Sequence, residues 1–374
     1  MKILYMCNEF PPKHSGGIGM FTKLMAEKLV EQGHDVVVFG YGKDQTETIK
    51  KEQGVTVIRL VEPKYGKNPI INFGKTLIER NKYFKRLKVQ TNQSKPDLIE
   101  SYDWSGPLLF KIKGVKLIVR LHGSNTANND YMSKKRSSLF TIIEKRALKI
   151  ADRIVSVSDH VAEQTKKSFN MDFEYQTIYN GVDLNKFKDL KLTRDLNKIV
   201  FVGRMHDYKG FKELFAAFNT VFATNDSVHF DIICSIIESY KDKIMTLVNK
   251  KYHDRIHFIG RVENSFLPKK YSEANLSILP SLTEAFPIIP LESMSCGTPV
   301  IMSNQFSSRE IIEDGQDGFL VNVLNPTELA EGILNAISNQ DRIESMRPKV
   351  IDKILSHFEI DRIVRENIKY YESI

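Results

Sequence analysis

Residues 198–223 read KIVFVGRMHDYKGFKELFAAFNTVFA, and this stretch decides the fold. Lys198–Val202 is a short apolar run without polar alternation, the pattern of a strand buried on both faces of a parallel sheet. The run ends in Gly203, passes through a loop carrying Arg204 and Lys209, and opens into a helical pattern over Gly210–Ala223. Buried strand, glycine-containing turn and amphipathic helix make the repeating unit of doubly wound α/β layers.

The alternation extends in both directions from this unit. Upstream, strands are expected at Ile3–Met6, Asp35–Phe39, Val55–Leu60, Asp97–Ser101, Leu117–Leu121, Arg153–Val157 and Gln176–Tyr179. Downstream they are expected at Val228–Ile233, Ile256–Ile259, Leu276–Leu279, Pro299–Met302 and Phe319–Val321. Met20–Gln32 gives a helix after the first of them. Each of the two series starts with a strand running into a glycine-containing turn, and the polar stretch Asp183–Asn197 separates them. The expected architecture is two facing Rossmann-like domains with a cleft between them: 1–180, a linker at 181–197, and 198–356, followed by a helix at 357–374 that returns to the first domain. In such sheets ligands bind beyond the carboxyl ends of the strands.

The chain has 374 residues, 41% hydrophobic and 27% charged. That composition excludes a disordered, collagenous or disulfide-stapled protein. Cys7, Cys234 and Cys296 stand far apart among apolar neighbours, without zinc-ligand spacing, and read as buried reduced thiols of a cytoplasmic protein. No apolar run reaches the 18 or so residues of a membrane span, and MKILYMCNEF reads as a first strand rather than a signal peptide. The net charge of +8 is uneven: residues 1–180 hold 30 Lys and Arg against 19 Asp and Glu, and residues 181–374 hold 24 against 27. A basic first half calls for an anionic partner, whether nucleic acid, membrane surface or phosphorylated small molecule.

Three segments carry chemistry. The loop Asn8–Gly19 ends in Gly16-Gly17-Ile18-Gly19 before a helix, where backbone N–H groups and the helix dipole favour an anion. It is too long for a dinucleotide fingerprint and lacks GxGxxG, which disfavours nicotinamide or flavin. In the second segment, Arg204 and Lys209 at a strand's carboxyl end suit a diphosphate, with a bidentate fork and a movable point charge. In the third, Pro280–Glu292, two carboxylates eight positions apart flank an apolar stretch; they suit sugar hydroxyls, with Glu292 near a helix start. Each has a plainer reading as a structural turn, solvated surface charges or a helix cap.

Taken together these segments resemble the retaining glycosyltransferases of family four, with the GT-B architecture. The matching pieces are GGIGMF near the start, RLHGS at 120–124, SVSDHV at 156–161, YNGVD at 179–183, FVGRMHDYKG at 201–210, FIGRV at 258–262 and PSLTEAFPIIPLESMSCGTPV from 280. They run in family order over nearly the whole chain, and the Glu-x7-Glu block is the most specific.

The resemblance implies that Arg204 and Lys209, beside Gly203, hold the donor diphosphate. It places Glu292 on the ribose hydroxyls, and Glu284 with the backbone of Ala285, Phe286, Pro287 and Ile288 on the donor sugar. Gly16 and Gly17 would lie against phosphate and acceptor, His122 would face the reacting sugar, and Arg261 would lie near the nucleobase. Many members have Gly-Phe-Gly where this chain has Ala285-Phe286-Pro287; Pro287 lacks an N–H, which bears on the identity of the donor sugar. His122 beside Gly123 also fits a capping or packing role.

Breaking the anomeric bond builds negative charge on the leaving diphosphate, so preorganised cations are the main lever. No Asp-x-Asp occurs in the chain, and neither a bridging metal nor any other cofactor is expected. The expected reaction moves a sugar from a nucleotide sugar, UDP-linked in preference to GDP-linked, to a glycan or lipid-linked acceptor of a cell-surface polysaccharide or glycolipid. Phe73, Leu77, Phe84 and Leu87 at near-helical spacing among Lys75, Arg80, Lys82, Lys85, Arg86 and Lys88 make a basic helix that either lies on anionic lipid or is an ordinary domain helix. Lys134–Arg136 adds a second cluster. The expectation is a cytoplasmic enzyme peripheral to the membrane, without nucleic acid as partner. The rivals are a GT-B sugar-nucleotide epimerase, which needs no acceptor; a phosphorylase, whose pyridoxal lysine is not identified; and a non-enzymatic basic binder, which leaves the second domain unexplained.

Overall fold

Fourteen strands among the described residues form two sheets, one for each series of apolar runs. The computed structural model describes every residue except 13–15, 44, 67, 68, 133, 134 and 136. The Lys134–Arg136 cluster is therefore largely outside the described residues.

The first sheet contains β1 (Lys2–Met6), β2 (Asp35–Gly42), β3 (Thr48–Glu52), β4 (Val55–Val61), β5 (Leu98–Tyr102), β6 (Lys116–Leu121), β7 (Arg153–Ser156) and β8 (Gln176–Thr177). Its order is β3-β4-β2-β1-β5-β6-β7-β8, parallel except for β3 against β4. β3 has no counterpart among the apolar runs. Its residues TIKKE are mostly exposed on the sheet's edge, where charge discourages further pairing.

The second sheet contains β9 (Asp195–Val202), β10 (His229–Ile233), β11 (Ile256–Phe258), β12 (Ala274–Leu279), β13 (Val300–Ser303) and β14 (Gly318–Val321). Its order is β11-β10-β9-β12-β13-β14, parallel throughout. β9 begins at Asp195, so the last residues of the expected linker are strand. Arg194 just before it is tied to the carbonyls of Tyr271, Ala274 and Cys296.

The chain divides into a unit of residues 1–179 with 363–374 and a unit of residues 180–362. The second unit's core packs Phe211, Leu214, Phe215 and Phe218 of helix Phe211–Thr224 on Ile199, Phe201, Phe230 and Ile232. Contacts such as Phe218 to Phe230, with centroids 4.4 Å apart, add about 0.5–1.5 kcal/mol each beyond area burial. In the first unit, the helix Pro69–Ser94 turns Leu87 into the core and packs Phe84 against it, while Leu77 stays exposed. Arg80 on the same helix donates to the carbonyls of Ser105 and Gly106.

Residues 354–358 close the second unit, the Phe358 carbonyl accepting from Val182 N. The helix Ile360–Glu372 then carries the chain into the first unit. There Tyr371 donates to Glu100 at 2.6 Å, and Arg120 reaches Asn367. Cys7, Cys234 and Cys296 are buried and unpaired. No helix of the described residues is long and apolar enough to cross a membrane.

Candidate active site

In the second sheet the chain leaves β9 towards β10 on one side, and β12 lies on the other. This reversal of strand order opens a crevice at the carboxyl ends, where ligands bind in such sheets. The loop after β9 carries Arg204 and Lys209; the loop after β12 carries Glu284. Leu282 N donates to the Tyr208 carbonyl at 2.8 Å, which locks the two loops together.

Gly210 makes this approach possible. Its φ of +73° is left-handed, and a Cβ there would stand 1.9 Å from the Pro280 carbonyl oxygen. Only glycine meets both demands. With the loops locked, Lys209 Nζ reaches Glu284 Oε1 at 2.5 Å, the two side chains 10% and 14% exposed. Tyr208 lies beneath the cations, with Lys209 Nζ 5.3 Å and Arg204 Cζ 5.9 Å from its ring centroid. Arg204 is exposed and free to turn to a ligand. Gly203 N donates to the Ile233 carbonyl, and a Cβ on Gly203 would meet the Phe201 ring at 2.9 Å.

Past Glu284 the chain turns into the helix Ile288–Ser295, capped by Pro287 without a side-chain hydrogen bond. Phe286 is buried beside Phe358, and its carbonyl accepts from Asn180 Nδ2 at 2.8 Å. Ile288 and Ile289 head the helix, where N–H groups have no intrahelical acceptor. Ala285 is partly buried between Glu284 and Phe286. Glu292, one turn further on, is partly buried and takes a long contact of 3.5 Å from the Tyr271 hydroxyl. Burial pushes its carboxyl up to about 8, opposed by that contact. Arg261 is exposed after β11, two strands from β9 at the sheet edge, and is not brought to the Lys209–Glu284 pair.

The remaining expected residues belong to the first unit. His122 follows β6; its ring packs edge-on against Phe21 with centroids 5.3 Å apart. Burial, reinforced by Arg120, lowers its pKa to about 3, so the ring is neutral near pH 7. Gly16 precedes the helix Gly17–Glu31, and a Cβ there would stand 2.1 Å from a Glu9 carboxylate oxygen. Gly17 has open space around it.

Asp103, directly after β5, was not singled out from the sequence. Its Oδ1 accepts from His122 N at 2.9 Å, and its buried Oδ2 has no partner among the described residues. Burial raises its carboxyl to about 7. A lone aspartate after a strand carries no such signal until its burial is known. Nearby, Asn8, Tyr41, Arg80, Tyr83, Tyr102 and Trp104 line a cavity of about 620 Å³. A larger depression of about 740 Å³ in the second unit lies by Asp189, Arg194 and Arg347, whose guanidinium groups serve backbone carbonyls.

The fold is that of a GT-B protein. The model of the family described as glycosyl transferases group 1 matches residues 183–352, and that of glycosyltransferase family 4 matches residues 15–186. The chain belongs to these glycosyltransferases. A glycosyltransferase of Methanocaldococcus jannaschii is 25% identical over 100% of this chain and 98% of its own. Among solved structures, sucrose-phosphate synthase from Thermosynechococcus elongatus superposes with a TM-score of 0.85 at 20% identity, covering 100% of this chain and 98% of that one. HepE from Anabaena in complex with UDP-glucose has a TM-score of 0.76 at 17% identity, with full coverage of both chains.

Proposed function

We propose that this chain transfers a sugar from a UDP-sugar to a glycan acceptor with retention of anomeric configuration. The observation that carries the reading is the Lys209–Glu284 pair at the switch point, with Arg204 on the same tyrosine. When a donor arrives, Lys209 and Arg204 neutralise the diphosphate. Glu284, next to them, accepts from hydroxyls of the donor sugar, and Glu292 serves the ribose. The UDP-glucose held by HepE favours uridine as the base.

The anomeric carbon–phosphate oxygen bond breaks, the acceptor oxygen bonds to that carbon from the same face, and the acceptor proton passes to the leaving phosphate oxygen. Positive charge on Arg204 and Lys209 stabilises the departing group without a bridging metal. Neutral His122 offers a hydrogen bond rather than a charge. The tyrosine- and tryptophan-lined cavity of the first unit supports a sugar-containing acceptor, because aromatic faces with polar rims suit sugar rings. A lipid carrier on that acceptor would bring the enzyme to the membrane, with Lys82 and Lys85 exposed on helix Pro69–Ser94. Incubation with UDP-sugars and oligosaccharide acceptors, followed by NMR of the new linkage, tests the reading. An anomeric configuration matching the donor's is expected; an inverted product overturns it.

A further inference from the structure

The opposite, amino-terminal end of the second sheet carries a cluster that glycosyl transfer does not use. His229 opens β10, Asp231 follows two residues on, and His257 on β11 is in register with Asp231. The alternation of a strand puts all three on one face. One ligand atom from each can be chosen so that all lie within 4.8 Å of one another. Asp231 is buried, with its side chain 8% exposed, while His257 is 44% exposed. The cluster is thus anchored in the sheet yet open to solvent.

The hydrogen bonding of His257 singles the cluster out. Its Nδ1 lies 3.0 Å from Asp231 Oδ1, and its Nε2 lies 3.1 Å from the Asp254 carbonyl oxygen. Both partners are acceptors, and a neutral imidazole has one N–H. One ring nitrogen therefore faces an acceptor with a lone pair unless the ring is doubly protonated or a cation stands between them. With Nε2–H donated to Asp254, Nδ1 and Asp231 face each other as two ligands do. Two ligands of a tetrahedral ion at about 2.0–2.1 Å stand about 3.3 Å apart, so the existing spacing needs little change. Asp195 Oδ2, 3.3 Å from His229 Nε2, supplies the carboxylate that orients a metal-bound histidine. Of the nearby cations, Arg255 is committed to the carbonyls of Phe222, Asn225 and Val228, while Lys198, in register with His229, shares the face of the cluster.

We infer that His229, Asp231 and His257 bind one divalent transition-metal ion of the zinc class, which pins β11 and β10 together at their amino ends. Two imidazoles and a carboxylate suit such an ion and not magnesium or calcium, which prefer all-oxygen sites. The inference goes beyond the proposed transfer reaction: the ion stands at the other end of the strands from Lys209 and does not touch the diphosphate.

The test titrates Zn²⁺, and Co²⁺ as a spectroscopic probe, into the full chain after chelator treatment. One saturable ion per chain, visible Co²⁺ d–d bands and a raised Tm are expected. Asp231→Asn and His257→Ala should each weaken that binding at least 30-fold while UDP affinity stays unchanged. His229→Ala, a partly exposed position, provides a third variant should either of the others fail to fold. Absence of saturable binding by folded wild type, or unchanged affinity in the folded variants, would overturn the site and leave His257 as a hydrogen-bonded partner of Asp231.

Discussion

Lys209 and Glu284 come from two loops separated by 75 positions in sequence, yet their charged atoms lie 2.5 Å apart. The sheet order explains the meeting: β9 and β12 are hydrogen-bonded neighbours, so the loops that leave them open side by side. A pair this buried is weak evidence for stability, because desolvation offsets much of the attraction. Its value lies in holding a cation and a carboxylate ready for ligand.

Lys209→Ala and Glu284→Ala should each lower kcat/KM by about 10²–10³-fold. The double variant should fall little further, because contacting residues that act as one unit are not additive. Steady-state kinetics with a fixed UDP-sugar measure this. Losses that multiply in the double variant would show that the residues act separately.

Glu292 gives a pH signature. Its carboxyl is raised from 4.5 to about 8 by burial. Between those values the folded protein holds a proton that the unfolded chain has lost, so this contribution is full below about pH 4.5 and falls away as pH rises towards 8. The slope is about 1.4 kcal/mol per pH unit. Glu292→Gln lacks it, so its Tm relative to wild type should climb from pH 5 to pH 8. A pH-independent difference in Tm would contradict the assignment.

Gly210→Ala should destabilise by about 2 kcal/mol or more, combining a left-handed φ with a Cβ against the Pro280 carbonyl. Denaturant unfolding checks the stability, and nucleotide affinity should fall with it as the two loops separate. An unchanged midpoint would show that the loops are not locked at this point.

Arg120 and Glu100 are 1% and 3% exposed and joined at 2.7 Å. Arg120→Leu strands a buried carboxylate and should cost about 3–5 kcal/mol. Arg120→Leu combined with Glu100→Leu should recover part of the loss. Denaturant midpoints for the three proteins test this, and a double variant less stable than the single one would contradict it.

Much of this fold is legible in the sequence because parallel strands buried on both faces must be continuously apolar. Val36–Phe39 and Ile199–Phe201 illustrate it, all of them buried. β3 escapes because its edge position tolerates the alternation-free TIKKE. The start of β9 escapes because Asp195–Asn197 are polar residues ahead of the buried run. Lys209 and Glu284 could be named from their loops, but their contact depends on strand order, which local patterning does not encode. Asp103 is hidden because its role comes from burial, and the Arg120–Asn367–Tyr371 network because its partners lie hundreds of positions apart in sequence.

The most direct test of the donor site is calorimetric titration of UDP into wild type and Lys209→Ala, with EDTA and then with magnesium. Metal-independent micromolar binding to wild type, about −8 kcal/mol, weakened at least tenfold in the variant, is predicted. Equal binding by both proteins, or binding by folded wild type only when magnesium is present, would contradict the diphosphate role given to Lys209.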